Sequence, residues 1–195
     1  MNKTASKKYF LRSVIIIFMA VSFGSPLWAV DDEETWKGIN LEARDLLLAG
    51  KKEQAIEAGE KALKFAREKL GQGHPSVAKS MNNLGVLHFS QGNSEKARAY
   101  YVSALEFEEQ HLGKDHPFVA DTLINDAKLN FLEGRFAESL SALERALAVR
   151  EKRFGAESLE VGQVLTILIP IYQRMGLSDE AEETRLRLLQ IPHTA

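Results

Sequence analysis

The chain has 195 residues, of which 45% are hydrophobic and 27% are charged, and it contains no cysteine. This composition is that of a folded helical protein and excludes a largely disordered one. Without cysteine the chain forms neither disulfide bonds nor a cysteine-linked lipid anchor, so its stability must come from helix packing.

The first 29 residues have the pattern of a secretory signal peptide. The basic residues of this segment are Lys3, Lys7, Lys8 and Arg12. They precede an apolar run at 14–23, which is too short for a bilayer core that needs ~20 residues. Ala29 offers a cleavage site, and residues 30–34 then form a polar lead-in that is either disordered or caps the first helix. The alternative for 14–23 is an uncleaved anchor or a buried helix.

Cleavage after residue 29 would leave an acidic chain. Because no acidic residue precedes Asp31, the 25 basic residues fall to 21 against 27 acidic ones, a net charge of −6. Nucleic-acid binding requires a basic footprint, so we expect no nucleic-acid partner. We expect a protein exported to a bacterial periplasm or secreted, which meets a membrane only transiently through its signal peptide.

A repeat of 42 residues organises the rest of the chain. The segments 74–115 and 116–157 both begin with a His-Pro pair. Glycines recur at the same period, at Gly50, Gly92, Gly134 and Gly176 and again at Gly71, Gly113 and Gly155. A fixed period with matched turn positions indicates a repeat array.

Each repeat contains two stretches with helical periodicity. From Trp36 onward, apolar residues recur every three or four positions, and glycines separate the stretches. Pro75 and Pro117 predict helix starts, because proline is favoured in the first turn. Ser94 is the predicted N-cap of the fourth helix. Pro170 should bend the seventh helix or shift one of its hydrogen bonds.

The sequence therefore predicts an all-α fold, a right-handed α-solenoid of four helix-turn-helix hairpins whose stacking buries a continuous core. The solenoid spans 35–190, and its repeats lie at about 32–73, 74–115, 116–157 and 158–190. Residues 191–195 are expected to form a loose tail.

These hairpins resemble the tetratricopeptide repeat in its longer, kinesin-light-chain type. Leu84 and Gly85 match the family's Leu-Gly pair, and Ala97, Tyr101 and Ala104 match positions of its second helix. The common repeat has about 34 residues, and eight more lengthen the second helix by roughly two turns. Departures from the pattern are Asp126 and Glu42 in place of Leu84, Ser139 in place of Ala97, and Gly59 and Arg185 in place of Tyr101. Asp126 is either a tolerated edge residue or a polar contact near the binding groove.

The resemblance implies a concave groove, lined by the first helices of successive repeats, that holds an extended peptide or a partner helix. By alignment, the groove residues are Lys37, Asn40, Arg44, Lys79, Asn82, Asn83, Phe89, Asp121, Asn125, Lys128, Phe131 and Arg174, with Val86 and Gln163 beside them.

Three pairs of these groove residues each leave two interpretations open. Asn83 and Asn125 either hold a ligand's main chain, because an amide is both donor and acceptor, or bond only to water and their own helices. The two lysines, Lys79 and Lys128, either attract an acidic motif or only add solubility. The two aromatic residues, Phe89 and Phe131, either wall a pocket or pack in the core.

No sequence pattern predicts catalysis, a metal site or a cofactor. The metal candidate is His74, His111 and His116 with Asp115, but no helix-spaced histidine pair occurs, and two of the histidines belong to the repeated His-Pro border. There is no P-loop, nucleophile elbow or cysteine nucleophile. The charged run 150–153 is predicted to solvate its helix.

The sequence therefore predicts a non-enzymatic, exported scaffold that binds a protein or peptide partner through its concave face. The alternative is self-assembly into a homo-oligomer, because the apolar residues of the last helix have no capping helix after them. Those residues are Leu186, Leu188, Leu189 and Ile191. A more distant alternative is an enzyme with titratable groups around His111 and His116.

Overall fold

The computed structural model describes residues 31–192, and this part of the chain consists of eight α-helices without strands. The helices are α1 (Asp32–Leu48), α2 (Lys52–Phe65), α3 (Pro75–Ser90), α4 (Ser94–His111), α5 (Pro117–Leu132), α6 (Phe136–Phe154), α7 (Leu159–Met175) and α8 (Ser178–Gln190). A π-helical turn, Ala66–Leu70, continues α2. The all-α repeat fold is confirmed. The predicted signal peptide, residues 1–29, lies outside the described residues.

The helices form four hairpins that stack in one row. Each helix packs against the next along the chain, and the first helix of the second hairpin, α3, also contacts the first helices α1 and α5 of its neighbours. Each hairpin falls within one of the four predicted repeats. Among residues 31–192, no helix is long and apolar enough to cross a membrane.

Glycines in the left-handed region mark both kinds of turn. Within the hairpins these are Gly50, Gly92, Gly134 and Gly176, and between the hairpins they are Gly71, Gly113 and Gly155. Their φ values lie between 75° and 108°, a region that side chains disfavour. The 42-residue period thus fixes the backbone turns.

The buried core runs along the stack of hairpins. One cluster of buried residues joins α1 to α4, and another joins α5 to α8. A third cluster of Ala97, Tyr101 and Leu129 packs α4 against α5. Because each hairpin covers the apolar face of its neighbour, no hairpin buries that face alone.

Polar side chains cap the helix starts. His74 and His116 each accept, through Nδ1, a backbone N–H two residues later at 3.2 Å, which confirms both His-Pro pairs as helix starts. Asp31 caps α1, so the acidic residues 32–34 already belong to that helix. The prediction for Ser94 was wrong. Asn93 is the N-cap of α4 and accepts the N–H of Lys96 at 3.2 Å, while Ser94 is the first helical residue.

The end of the chain is better packed than expected. Ile191 is 3% exposed and belongs to the core cluster of α5 to α8, so it is not part of a loose tail. Its side chain covers Gly162, where an added Cβ would lie 3.3 Å from Ile191 Cδ1. Leu188 packs against the same cluster. Helix α7 continues across Pro170.

Candidate functional site

Two adjacent pockets lie along one face of the stack. The first lies between α1 and α3 and has a volume of about 460 Å³. The second has a volume of about 340 Å³ and is lined by residues of α3 to α7. Lys79 and Asn83 line both pockets, so the two form one continuous groove.

The first pocket has an apolar floor and a basic rim. Trp36, which is 4% exposed, lies in the floor, and its indole N–H donates to Ser80 Oγ at 2.8 Å. The rim carries Lys37, Arg44 and Lys79, and no acidic residue of the described range 31–192 lines the pocket. Lys37 pairs with Glu34 at 2.7 Å and Arg44 with Asp45 at 3.0 Å, whereas Lys79 makes no ion pair with any described residue. A buried aromatic ring beside the Lys79 ammonium suits an apolar side chain with an acidic neighbour.

The second pocket is polar. Its lining includes the cations of Lys79, Lys128 and Arg150. Arg150 forms an ion pair with Asp121, whereas Lys79 and Lys128 make no ion pair within residues 31–192. Burial raises the pKa of the Asp121 carboxyl, and Arg150, followed by Lys79, opposes that shift. This pocket therefore has an excess of positive charge at its surface.

Lys79 lies between the two pockets and between two aromatic rings. Its Nζ is 5.8 Å from the centroid of the Trp36 ring and 5.6 Å from that of Phe118. Such distances allow cation–π attraction, which holds the ammonium group over the groove. A partner residue in either pocket would lie near this charge.

The groove asparagines bond to one another across successive hairpins. Asn83 donates from Nδ2 to Asn40 Oδ1 at 2.8 Å, and Asn125 donates to Asn82 Oδ1 at 3.1 Å. Each bond joins residues 43 positions apart. Both donors thus have a structural role, and each keeps a carbonyl oxygen available to accept a ligand's N–H.

The floor of the groove contains two charged residues that sequence reasoning missed. Glu108 is 1% exposed and Arg150 is 8% exposed, and both line the second pocket. They are 42 residues apart, and Ala66 occupies the same repeat position, where it is fully buried. The repeat period itself could have revealed this buried position. The prediction that Arg150 solvates its helix was wrong, because Arg150 bonds Asp121 inside the groove.

Three predicted groove residues line neither pocket. Phe89 packs beside Tyr101 in the core, and Phe131 packs against the ring of Phe136 at 5.5 Å. Arg174 is exposed near the end of α7. All other predicted groove residues line at least one of the two pockets, and they are Lys37, Asn40, Arg44, Lys79, Asn82, Asn83, Asp121, Asn125 and Lys128.

Asp126, at the position where the repeat pattern has leucine, is part of a polar cluster beside α4. Its carboxylate accepts from Asn130 at 2.9 Å and lies 3.5 Å from Arg98. Burial raises the pKa of the Asp126 carboxyl, and Arg98 and Asn130 oppose that shift. Asp126 lines neither pocket, so its contacts are structural.

The three histidines of the metal candidate make structural contacts. His74 and His116 use Nδ1 as a cap, and the ring of His111 stacks on Phe107 with centroids 4.1 Å apart. Within residues 31–192, no group of three or more His, Asp or Glu side chains could hold a metal ion.

Comparison with known families places these hairpins among tetratricopeptide repeats. The tetratricopeptide repeat family matches residues 39–110 and 119–160, which together make up more than half of the chain. The chain therefore belongs to the tetratricopeptide repeat proteins. Such repeats generally act as non-catalytic scaffolds for protein–protein interaction. Among curated proteins, no sequence matches.

Solved structures share this fold. BtubC (BKLC) from P. vanneervenii has a TM-score of 0.72 and 24% identity, over 96% of this chain and 74% of that one. A candidate kinesin light chain of Podosopora anserina, with nearly identical TPR-like repeats, has a TM-score of 0.70 and 21% identity. That match covers 80% of this chain and 74% of the other. Because both sequences are less than 25% identical to this chain, these matches show a shared fold only.

Proposed function

We propose that this chain is an exported scaffold that binds a protein partner in the groove. The observation that carries the proposal is the pair of adjacent pockets that share Lys79, one apolar with a basic rim and one polar. An extended segment or helix of a partner would place an apolar side chain over Trp36. An acidic residue of the same partner would lie near Lys79 and Lys128.

Charge and rigidity support this assignment. The first pocket offers Trp36, Ala43 and Leu47 to an apolar side chain, and its lining within the described residues includes no acidic side chain. Bonds between asparagines of successive hairpins hold the groove in its open shape before a partner arrives. A preorganised groove loses little conformational entropy on binding, so a few contacts give useful affinity.

Selection from a displayed random peptide library, followed by synthesis of the selected peptides, tests the groove. We expect those peptides to combine an apolar residue with acidic ones. Lys79→Glu should weaken their binding by about tenfold, because it reverses the charge that both pockets share.

A matched variant separates the local charge from the net charge. Lys61→Glu makes the same change at an exposed position of α2 that lines neither pocket. Its dissociation constants should stay within about twofold of the parent's. Equal weakening by both variants would show that binding depends on overall charge, and the groove assignment would be wrong.

Export rests on the signal-peptide pattern of residues 1–29, where basic residues precede a short apolar run and Ala29. Expression in a bacterial host with fractionation of the cell envelope tests it. Export predicts a protein outside the cytoplasm whose first residue, by mass spectrometry, is Val30. A full-length cytoplasmic product would contradict export.

Self-assembly through the last hairpin is the second candidate function. Leu186 is 53% exposed and Leu189 is 68% exposed on α8, with Met175 of α7 at 38%. This apolar edge is narrower than the sequence predicted, because Ile191 is buried and Leu188 packs on the core. Sedimentation over a range of concentrations tests it, since the mass of one chain throughout would exclude assembly.

A further inference from the structure

A buried carboxyl group lies in the floor of the second pocket. Glu108 of α4 is 1% exposed, yet it is one of the residues that line the pocket. Its Oε1 accepts the hydroxyl of Thr122 at 3.0 Å, and its Oε2 has no hydrogen-bond donor within residues 31–192. An ionised carboxylate that is cut off from water and half-satisfied is costly.

Charges on the packed elements decide the protonation of this group. Burial, followed by the carboxylates of Asp121 and Glu109, raises the pKa of Glu108 to about 7, and the Thr122 hydroxyl opposes that rise. The counterpart of Asp121 is Arg150 of α6. Among the described residues Glu108 forms no ion pair, and its Oε2 has no hydrogen-bond partner, so near neutral pH it exchanges between its neutral and charged forms.

The rim above Glu108 is basic. Lys79 of α3 and Lys128 of α5 line the same pocket, and His116, at the start of α5, lies near enough to Asp121 to influence it. When Glu108 is neutral, the positive charges exceed the single negative charge of Asp121. When Glu108 is ionised, a second negative charge lies beneath the site and opposes the entry of an anion.

We propose that the second pocket binds a side-chain carboxylate of the partner and that Glu108 takes up one proton when this carboxylate binds. The proton comes from solvent, resides on the Glu108 carboxyl, and returns to solvent when the partner leaves. The partner's carboxylate stays ionised and is held by the lysines of the rim. This inference rests on the proposed groove function and adds to it the control of that groove by pH.

Linkage fixes the sign of the effect. A bound anion favours the neutral form of Glu108, so binding takes up protons, and the affinity increases as the pH falls from 8 to 6. Aspartate and glutamate side chains of a peptide remain ionised over this range. The pH dependence therefore belongs to the scaffold.

The experiment selects peptides from a displayed random library on the purified protein at pH 6 and at pH 8. Synthesised acidic peptides from these selections are then titrated at both values. For the parent protein we expect a dissociation constant about fivefold lower at pH 6. Glu108→Gln keeps the acceptor for Thr122 and removes the charge, so its affinity should be high and the same at both pH values.

A control variant and a spectroscopic readout isolate the residue. Glu106→Gln removes the same charge from an exposed position of α4 and should leave the pH dependence unchanged. In protein labelled with ¹³C at glutamate carboxyl groups, the Glu108 resonance should titrate near pH 7 and move to higher pH when an acidic peptide is added. A purely structural Glu108 would not respond to the peptide.

The outcomes separate this inference from the groove proposal. If the Glu108→Gln variant still binds acidic peptides more tightly at pH 6 than at pH 8, the pH dependence comes from histidine. That outcome would overturn the inference. Acidic-peptide binding that is independent of pH would overturn it too, with the groove proposal intact. If no selected peptide depends on Lys79, both the groove and the inference fail.

Discussion

The ring of Tyr101 lies directly against the backbone of Gly85, where helices α3 and α4 approach each other. A Cβ added at Gly85 would be 2.3 Å from Tyr101 Cε1 and 2.6 Å from Cδ1. Tyr101 is 1% exposed and packs beside Ala97 and Leu129, so its ring has no room to withdraw. The small residue at position 85 is therefore what allows this hairpin to close around the tyrosine.

We expect Gly85→Ala to lower the free energy of unfolding by about 2 kcal/mol, because overpacking at the ring outweighs the better helix propensity of alanine. Denaturant unfolding followed by circular dichroism measures it. Gly38→Ala in α1 is the matched control, since an added Cβ there meets no atom of the described residues within 4 Å. In that control the free energy of unfolding should increase by about 0.5–1 kcal/mol. A stabilised Gly85→Ala variant would contradict the close contact.

Glu108→Gln should stabilise the protein at alkaline pH. The folded-state pKa of about 7 lies above the ordinary glutamate pKa of 4.5. Between these values the folded state binds more protons than the unfolded state, so this group's contribution declines as the pH rises through that window. At pH 8 the free energy of unfolding of the variant should exceed that of the parent by roughly 2–3 kcal/mol. At pH 4 the two values should be equal.

Unfolding titrations at several pH values between 4 and 8 check this, and Glu106→Gln should follow the parent throughout. A constant difference between Glu108→Gln and the parent at every pH would mean that Glu108 does not titrate in this range.

His116 should make a contribution to stability that increases with pH, opposite in sign to that of Glu108. Burial, followed by Arg153, lowers the pKa of the His116 ring, whereas Asp121 raises it. The folded state therefore favours the neutral ring, whose Nδ1 accepts the N–H of Phe118. The stabilisation is present above the ordinary pKa near 6.5 and is lost as the pH falls below it.

Two substitutions at position 116 separate the cap from the titration. Asparagine is a good N-cap and does not titrate, so His116→Asn should keep the stability at pH 7 and flatten its decline toward pH 5. His116→Ala should cost about 1 kcal/mol at pH 7, because α5 loses its cap. Unfolding curves at both pH values measure the difference, and equal losses in the two variants would contradict a capping role.

The backbone plan of the molecule could be predicted from the sequence because it depends on local signals. Glycines at a fixed period and the two His-Pro pairs specify turns and helix starts, and the structure uses them in that way. Gly85 and Tyr101 were recognisable through the repeat pattern. Ser94 was misassigned because Asn93, one residue earlier, is an equally good N-cap.

The groove was harder to predict because it depends on which helices face each other. Lys79, Asn83 and Asn125 were found by alignment to first helices, and they do line the pockets. Glu108 and Arg150 lie on second helices, from which the alignment took no groove residue. Their burial depends on the packing of α4 and α6 beneath the first helices, and a charged side chain alone gives no sign of that.

The burial of Ile191 directly after α8 also depends on packing that the sequence pattern does not show, and mutation tests it directly. It is 3% exposed beside Gly162, whereas Leu189, two residues earlier, is 68% exposed. Removing a buried side chain loses its transfer free energy and leaves a cavity, so Ile191→Ala should cost about 2–4 kcal/mol. Leu189→Ala should change the stability by less than about 0.5 kcal/mol. Thermal and denaturant unfolding of the two variants measures both changes in stability. Equally small changes would show that Ile191 is not packed in the core and belongs to a loose tail.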